Sequence, residues 1–304
     1  MRARPERSRR VLITGGQGQL GRALQVALQD TEVFAPGHSE LDVTDGDALQ
    51  RTFKELRPKV VIHAAAWTDT AACERDPTQA LAVSGEASRV VAETCRQHGA
   101  AMVYISSNEV FDGEKREPYG EDDEPTPINE YGRSKLEGER NVQAVLDRYY
   151  IVRTSWLYGP GRDSFPEKIV QRAREQGSLR LVTDEIASPT WTVDLAQAIA
   201  KLIGRPAYGV YHLTNGGYCS RMEWAQEVLR LAGLTDIALT PSTQEEFGLP
   251  YRKPVFTALA NTNAAQLGIQ LRPWQKALAD HFRHPDSRLA TVMSSPPTAA
   301  QRQE

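Results

Sequence analysis

The feature that most constrains the fold is a glycine-rich segment near the start of the chain. An apolar run, Val-Leu-Ile-Thr-Gly at residues 11–15, leads into Thr-Gly-Gly-Gln-Gly-Gln-Leu-Gly at residues 14–21, and a helical pattern follows. Glycines at 15, 18 and 21 let the backbone turn sharply and approach a pyrophosphate, which the amides and dipole of the next helix stabilise. The segment therefore predicts a dinucleotide site built on a strand–turn–helix unit.

Apolar strand patterns and helical patterns alternate through the rest of the first half. Further strands are predicted at 32–35, 59–65, 101–107 and 149–156, and helices at 18–29, 42–56, 78–97 and 129–146. Such strands, apolar on both faces and separated by helices, indicate a parallel sheet that is covered on both sides. The predicted fold class is α/β, a Rossmann-type doubly wound parallel sheet with a smaller C-terminal substrate-binding region.

The chain of 304 residues divides into four predicted segments. Residues 1–9 form a disordered basic tail, and residues 10–156 form the NAD(P)-binding Rossmann domain. Residues 157–284 form a second, less regular region interleaved with the Rossmann core, with helices near 165–176, after Thr192 and after Ser220. The Ser-, Pro- and Ala-rich residues 285–304 are expected to be disordered.

Charge and cysteine usage exclude several classes of protein. The 36 basic and 39 acidic residues give a net charge of −3, which does not favour nucleic acid as a partner. Because no apolar run approaches the roughly 20 residues of a membrane span, we expect no membrane association. Cys73, Cys95 and Cys219 lack metal-ligand or disulfide spacing, so we predict no metal and a reduced, cytoplasmic protein.

A tyrosine and a lysine lie four residues apart in Tyr131-Gly-Arg-Ser-Lys135. Residues i and i+4 share one face of a helix, and an ammonium near a phenol is expected to lower the pKa of Tyr131. The phenol could then exchange a proton with a carbonyl or an alcohol. A hydroxyl at the end of the fourth strand would hydrogen-bond the reacting oxygen, and we favour Ser107 over Ser106. The predicted catalytic residues are Ser107, Tyr131 and Lys135.

Together with these two motifs, further segments resemble the dTDP-4-dehydrorhamnose reductase family of the extended short-chain dehydrogenase/reductase superfamily. The similarity runs from about Val11 to about Leu278, and Arg-Thr-Ser-Trp-Leu-Tyr-Gly at 153–159 and Ser-Pro-Thr at 188–190 are its most specific markers. The resemblance implies an NAD(P)H-dependent reductase of the 4-keto group of a nucleotide-linked 6-deoxysugar, with dTDP-4-dehydrorhamnose as the first candidate. It also implies a nucleoside-diphosphate sugar as ligand, with residues 157–284 as the sugar-nucleotide-binding region, and a monomer or homodimer.

The same resemblance implies two sets of binding residues. Those expected to bind the cofactor are Gly15, Gly18, Gln19, Leu20, Gly21, Asp42, Val43, Ala64, Ala65, Ala66, Tyr131 and Lys135. Those expected to bind the substrate are Trp67, Ser107, Glu109 and Trp156.

Several positions depart from the family pattern. Asn108 and Glu109 replace the usual Asp-Tyr after the fourth strand, and Ser84 replaces an Asn of the long helix. Since Asn108 and Glu109 partly match a dehydratase pattern, a nucleotide-sugar epimerase or dehydratase is one alternative. A non-catalytic, NADP-binding regulatory subunit is the other.

The end of the second strand determines the expected cofactor. NAD enzymes usually place an acid there for the ribose 2′-hydroxyl, whereas this chain has Pro-Gly-His-Ser at 36–39, followed by Glu40. Arg22 could supply a cation for a 2′-phosphate. The sequence favours NADPH, with NADH as the alternative.

Overall fold

A computed structural model of the protein describes residues 10–290. The predicted tail at 1–9 lies outside the described residues. So do residues 291–304, the last fourteen residues of the tail predicted at 285–304. The strands are β1 (Arg10–Thr14), β2 (Glu32–Phe34), β3 (Val60–His63), β4 (Ala101–Ser107), β5 (Tyr149–Thr154), β6 (Leu157–Tyr158), β7 (Ser178–Val182), β8 (Ile186–Ala187), β9 (Thr190–Trp191), β10 (Gly209–His212), β11 (Cys219–Ser220) and β12 (Ala238–Ser242).

The described residues also contain twelve α-helices. They are α1 (Gln19–Ala27), α2 (Gly46–Leu56), α3 (Thr70–Arg75), α4 (Pro77–Ala80), α5 (Ala87–His98), α6 (Glu130–Val145), α7 (Phe165–Gln176), α8 (Thr192–Ile203), α9 (Arg221–Leu231), α10 (Gln244–Phe247), α11 (Thr262–Gln266) and α12 (Trp274–Arg283). A π-helical segment, Leu81–Glu86, joins α4 to α5, and a 3-10 turn, Asn108–Val110, follows β4.

The central sheet has six strands in the order β10-β5-β4-β3-β1-β2. Every pairing within it is parallel, including that of β10 with β5. The order reverses between β1 and β3, because the chain goes from β1 to β2 at one edge and then crosses back to place β3, β4 and β5 on the other side of β1. The predicted doubly wound parallel sheet is therefore confirmed, and ligands in such folds bind beyond the carboxyl ends of the strands near the reversal.

Alternate residues of the strands supply two separate cores. Val11, Ile13 and Val103 pack on one face with α1 and α8, whereas Leu12 and Met102 pack on the other face with α2, α5 and α6. Successive side chains of a strand point to opposite faces, so strands buried on both faces must be apolar at every position. This explains the uninterrupted apolar runs in the sequence.

A third core belongs to the C-terminal half of the chain. It is built around Trp224 and Phe282 and is packed by α7, α9 and α12. Leu289 is buried in this core, so the predicted start of the disordered tail at residue 285 is wrong. The apolar contact of Leu289 holds residues 285–290 against the fold, and composition alone did not reveal that contact.

The long helix predicted at 78–97 is not a continuous α-helix, because a π-helical segment separates α4 from α5. Leu81, the first residue of its π-helical segment, is 42% exposed. Val91 and Cys95, in the regular part of the helix, are fully buried. π-helical turns occur frequently beside functional sites, and this one packs against α6.

Candidate active site

The sequence-predicted catalytic residues and the glycine-rich turn meet at one cavity beyond the carboxyl edge of the sheet. The cavity has a volume of about 460 Å³. Its lining residues come from both halves of the chain and are Gly15, Gly18, Gln19, Leu20, Gly21, Ala64, Ala66, Thr68, Thr70, Ile105, Ser106, Ser107, Asn108, Glu109, Tyr131, Lys135, Thr154, Ser155, Trp156, Leu157, Arg162, Asp163, Ser164, Phe165, Arg221 and Lys253.

The β1–α1 turn has the geometry that a pyrophosphate site needs. Gly15 has a φ of +71°, and a Cβ there would lie 2.8 Å from the backbone nitrogen of Ala65. A Cβ on Gly21 would lie 2.4 Å from the carbonyl oxygen of Gly15, so the turn packs too tightly for side chains. Gly18 begins α1 with no side-chain cap and no acid in the first turn. The amides at the start of α1 are thus available to a phosphate, and the residues present fit a dinucleotide.

Helix α6 carries Tyr131 and Lys135 to the cavity. Its first turn is fixed by Asn129, whose side chain accepts a hydrogen bond from the Gly132 amide at 2.8 Å. A Cβ on Gly132 would lie 2.1 Å from the carbonyl oxygen of Glu109. This glycine therefore lets α6 pack directly on the 3-10 turn after β4. The close packing brings the Tyr131 ring next to the end of β4.

The two serines at the end of β4 have different partners. The Ser106 hydroxyl donates to Glu139 at 2.5 Å and so faces the interior. The Ser107 hydroxyl accepts from the Glu109 amide at 3.1 Å, and it lies near enough to the Tyr131 phenol to lower the pKa of that phenol. Of the two hydroxyls, that of Ser107 is therefore the one beside the phenol, and its catalytic role stays a prediction.

The expected effect of Lys135 on Tyr131 is not what the structure shows. Burial raises the pKa of Tyr131 above its usual value, the Glu109 carboxylate raises it further, and only the Ser107 hydrogen bond opposes them. The Lys135 ammonium lies over the ring of Tyr104, 4.3 Å from its centroid. The prediction that Lys135 lowers the pKa of Tyr131 is wrong for this arrangement, because burial and Glu109 dominate.

Lys135 is a deeply buried cation. Its side chain is 2% exposed, and burial lowers its pKa to about 7, with Glu139 acting in the opposite direction. A buried ammonium is stable only with partners, and here they are a carboxylate on the same helix and an aromatic ring on β4.

A cluster on the opposite wall of the cavity was not predicted from the sequence. Arg221, the first residue of α9, stacks its guanidinium 3.6 Å from the centre of the Trp156 ring. Arg221 and Lys253 both pair with Glu185, at 2.8 and 3.3 Å. Arg221 and Lys253 are far apart in sequence, so only the folded chain identifies them as neighbours.

Trp156 itself adopts a strained backbone. Its φ of +42° is unusual for a bulky residue, and strain of this kind concentrates at functional sites. The indole is half-buried between Arg221 and Trp224, which it stacks at 5.4 Å. The residue predicted to contact substrate is thus held at the cavity wall by its neighbours.

Several of the other predicted binding residues do not line the cavity. Asp42 hydrogen-bonds Thr44 through its carboxylate, at 2.9 Å to the amide, and Val43 is buried. Within the described chain, neither they nor Ala65 and Trp67 belong to the set that lines the cavity, although Ala64, Ala66 and Thr68 do. Their roles stay predictions.

The three departures from the family pattern have clear partners. The Asn108 amide donates to the Thr257 hydroxyl at 2.6 Å, and Glu109 accepts from Asn129 at 2.8 Å. Ser84 is fully buried, and its hydroxyl accepts from the Trp67 amide at 3.4 Å. Asn108 and Ser84 thus serve the packing of the site, whereas Glu109 also affects the charge at Tyr131.

The acid nearest the end of β2 is already engaged. Glu40 accepts a hydrogen bond from the Gly37 amide at 2.7 Å, which closes the loop after β2. Arg22 donates to the carbonyl of Gln17 at 3.1 Å and remains exposed beside the glycine-rich turn.

Residues 10–290 contain no group of three or more His, Cys, Asp or Glu side chains arranged to hold a metal ion. In the same part of the chain, no helix combines the length and apolar character needed to cross a membrane.

Fold and site together define a class. A parallel sheet whose carboxyl edge holds a glycine-rich phosphate turn beside a Tyr–Lys pair is the arrangement of the short-chain dehydrogenases and reductases, and this chain has it.

Comparisons with known proteins identify the family within this class to which the chain belongs. The RmlD substrate binding domain matches residues 9–286. The dTDP-4-dehydrorhamnose reductase of Streptomyces griseus is 38% identical, over 90% of this chain and 93% of its own. A probable dTDP-4,6-dihydroxy-2-methyloxan-3-one 4-ketoreductase of Streptomyces antibioticus is 36% identical, over 92% of this chain and 98% of its own.

A solved structure supports the same family assignment. The dTDP-4-dehydrorhamnose reductase of Bacillus anthracis, determined in complex with NADP, superimposes with a TM-score of 0.88 at 35% identity, over 90% of this chain and 99% of that one. The chain therefore belongs to the RmlD family of dTDP-4-dehydrorhamnose reductases, and the resemblance inferred from its motifs is confirmed.

Proposed function

We propose that the protein is an NADPH-dependent reductase of the 4-keto group of a dTDP-linked 6-deoxysugar, with dTDP-4-dehydrorhamnose as first candidate and dTDP-rhamnose as product. The observation that carries the proposal is the meeting of the Ser107–Tyr131 pair with the glycine-rich turn at one cavity. The family relationship supports the same reaction, since relatives of similar identity are named as reductases of dTDP-linked keto sugars.

Different residues of the cavity have different roles in the proposed carbonyl reduction. The β1–α1 turn and the start of α1 would hold the pyrophosphate of the cofactor, and the reduced nicotinamide supplies the hydride when bound. Burial raises the pKa of Tyr131, so the phenol is protonated at neutral pH. Tyr131 donates this proton to the carbonyl oxygen. Ser107 hydrogen-bonds the same oxygen, and Lys135 provides a cation on the same face of α6.

The opposite wall is suited to the anionic part of the substrate. Arg221 and Lys253 pair with the same carboxylate, that of Glu185, so this three-residue cluster keeps a net positive charge toward the cavity. Trp156 and Phe165 offer apolar surface beside these cations. We propose that this wall binds the nucleoside diphosphate while the sugar lies between Trp156 and Tyr131.

The alternatives find less support. A dehydratase needs an acid–base pair next to the reacting hydroxyl, and the Asn108 amide is engaged with Thr257 instead. A non-catalytic subunit would not need the Ser107 hydroxyl beside the Tyr131 phenol at the cavity. Both observations favour reduction.

The test is NADPH oxidation at 340 nm by purified protein with a panel of nucleotide-linked 4-keto-6-deoxysugars. We expect turnover with dTDP-linked members and formation of the corresponding 6-deoxyhexose. The Tyr131→Phe variant serves as the matched inactive control. Absence of NADPH oxidation with every keto sugar, by a protein that binds NADPH, would reject the proposal.

The cofactor preference follows from the loop after β2. Because Glu40 is occupied by the Gly37 amide, we propose use of NADPH with weak discrimination against NADH. Steady-state rates with each cofactor measure it. A preference for NADH of about 100-fold, roughly 2.7 kcal/mol of transition-state binding, would show that an acid reaches the ribose.

We also propose a cytoplasmic location and a monomer or homodimer that does not bind nucleic acid. The three cysteines are buried and free, which agrees with a reducing compartment. Cell fractionation tests the location, light scattering tests the oligomeric state, and a gel-shift assay with DNA and RNA tests the third point.

A further inference from the structure

A buried carboxylate lies one helical turn beyond Lys135. Glu139 is 2% exposed, and residues four apart on a helix are neighbours on one face. Both of its oxygens accept hydrogen bonds. Ser106 donates to Oε1 at 2.5 Å, while Arg153 donates to Oε1 at 2.9 Å and to Oε2 at 2.7 Å. The network joins α6 to the carboxyl ends of β4 and β5, directly behind the cavity.

We propose that Glu139 is a positioning residue whose negative charge keeps the buried Lys135 ammonium protonated at the reactive face of α6. The inference rests on the proposed function, in which Lys135 acts as a cation. Arg153 and Ser106 in turn hold the Glu139 carboxylate in place, since a bidentate guanidinium pair fixes both position and orientation.

The need for such a charge follows from the burial of Lys135. The interior disfavours an isolated ammonium and lowers the pKa of Lys135 to about 7, whereas Glu139 raises it. The Tyr104 ring, 4.3 Å from the ammonium, adds a weaker attraction. With Glu139 neutral, a larger fraction of Lys135 would lose its proton at neutral pH.

The other groups around Lys135 cannot replace Glu139. Those in contact or electrostatic interaction with Lys135 are Tyr104 on β4, His63 on β3 and Cys73 on α3. Tyr131 lies four residues before it on α6, and Arg153 on β5 pairs with Glu139. Burial lowers the pKa of His63 to about 3 and raises that of Cys73 to about 11, so both are neutral near pH 7. The carboxylate of Glu109, which also lines the cavity, acts on Tyr131 and Cys73.

The variants must separate charge from packing. Glu139→Gln alone leaves the Arg153 guanidinium buried without its partner, which is strongly destabilising. The double variant Glu139→Gln/Arg153→Met removes both charges, and buried ion pairs often tolerate such apolar replacement. Glu139→Asp keeps the charge, and Ser106→Ala removes one hydrogen bond while it leaves the charge intact.

Two readouts follow the protonation of Lys135. The first is the titration of its ¹³Cε resonance in lysine-labelled protein without cofactor, assigned by its loss in Lys135→Met. The second is the alkaline limb of the kcat profile. We expect the double variant to titrate at lower pH than the parent and to lose activity about tenfold for each pH unit above its midpoint. Glu139→Asp and Ser106→Ala should titrate close to the parent.

A folded double variant whose Lys135 resonance titrates as in the parent would overturn the proposal and leave Glu139 a purely structural role. If the double variant is unfolded, Glu139→Gln decides, because it removes the negative charge and leaves the rest of the network in place. A folded Gln variant whose Lys135 titrates at lower pH supports the charge role, and one with the parental midpoint overturns it. The NMR titration needs no turnover, so a failure of the proposed reaction is seen separately, as absent NADPH oxidation by the parent protein.

Discussion

At the scale of single residues, the protonation of Tyr131 depends on its surroundings more than on its motif. The spacing of Tyr131 and Lys135 places both on one helix face, yet the ammonium lies over Tyr104 and burial governs the phenol. Glu109 lies where the family usually has an aromatic residue and adds a negative charge. Both effects keep the phenol protonated, which is the state that reduction needs.

The first prediction concerns the proton donor. Tyr131→Phe keeps the ring and removes the hydroxyl, so we expect kcat to fall by about 10²–10⁴ through loss of general acid catalysis. Ser107→Ala removes one hydrogen bond to the reacting oxygen and should cost less than the Tyr131 change. Turnover of a 4-keto nucleotide sugar measures both, with folding checked by circular dichroism. Parental activity of Tyr131→Phe would contradict the assigned role.

At the scale of elements, two glycine contacts bring the reactive groups together. The β1–α1 turn packs its glycines against backbone, and Gly132 lets α6 touch the turn after β4. These close approaches explain why the glycines lie where they do. They also make each element sensitive to a single added carbon.

The second prediction concerns the start of α1. Gly18→Asp adds a carboxylate where the pyrophosphate would lie, and both its bulk and its charge should abolish NADPH binding. Gly18→Ala is the matched control, because its Cβ meets only the Gly15 carbonyl oxygen, at 3.1 Å, and it adds no charge. Titration followed by nicotinamide fluorescence compares them. If the Asp variant binds as tightly as the Ala variant, the cofactor site lies elsewhere.

The third prediction concerns the contact of α6 with the 3-10 turn. A Cβ on Gly132 would lie 2.1 Å from the Glu109 carbonyl oxygen, so Gly132→Ala must displace α6. We expect a loss of about 1–3 kcal/mol of unfolding free energy and a lower kcat, because Tyr131 is adjacent. Gly120→Ala, whose Cβ would come no closer than 3.8 Å to Asp123, is the control for urea unfolding. Equal stability of the two variants would argue against the tight contact.

At the scale of the whole molecule, the C-terminal half completes the cavity and adds its own charged cluster. Arg221 and Lys253 converge on Glu185, which is 8% exposed and links α9 to the segment after α10. Burial alone would raise the pKa of Glu185, but the two cations outweigh it and lower the pKa to about 2. The cluster therefore ties the stability of this half to pH.

The fourth prediction follows from the sign of that shift. A carboxyl whose pKa is lowered on folding stabilises the folded state fully above its unfolded pKa, near 4.5, and loses this contribution as the pH falls toward about 2. Glu185→Gln should be less stable than the parent above pH 5, and the difference should shrink below pH 4.5. Urea unfolding across this range tests it.

Glu227→Gln is the control for this experiment, because Glu227 pairs with Arg230 on the outer face of α9 and surface pairs contribute little. A difference between parent and Glu185→Gln that does not change with pH would contradict the assigned coupling.

The amino-acid sequence by itself determined the sheet, the phosphate turn and the Tyr131–Lys135 pair. These depend on local patterns, namely apolar runs, glycines at fixed spacing and residues four apart, which chain connectivity keeps together. The sequence does not predict that Leu81 is exposed in a π-helical segment or that Leu289 is buried. Both depend on helix register and on contacts with distant segments. Only the tertiary structure decided that Arg221 and Lys253 meet at Glu185, that Glu139 lies behind Lys135, and that Tyr131 keeps its proton. Charge interactions depend on distance through space and on burial, and neither is a property of sequence spacing.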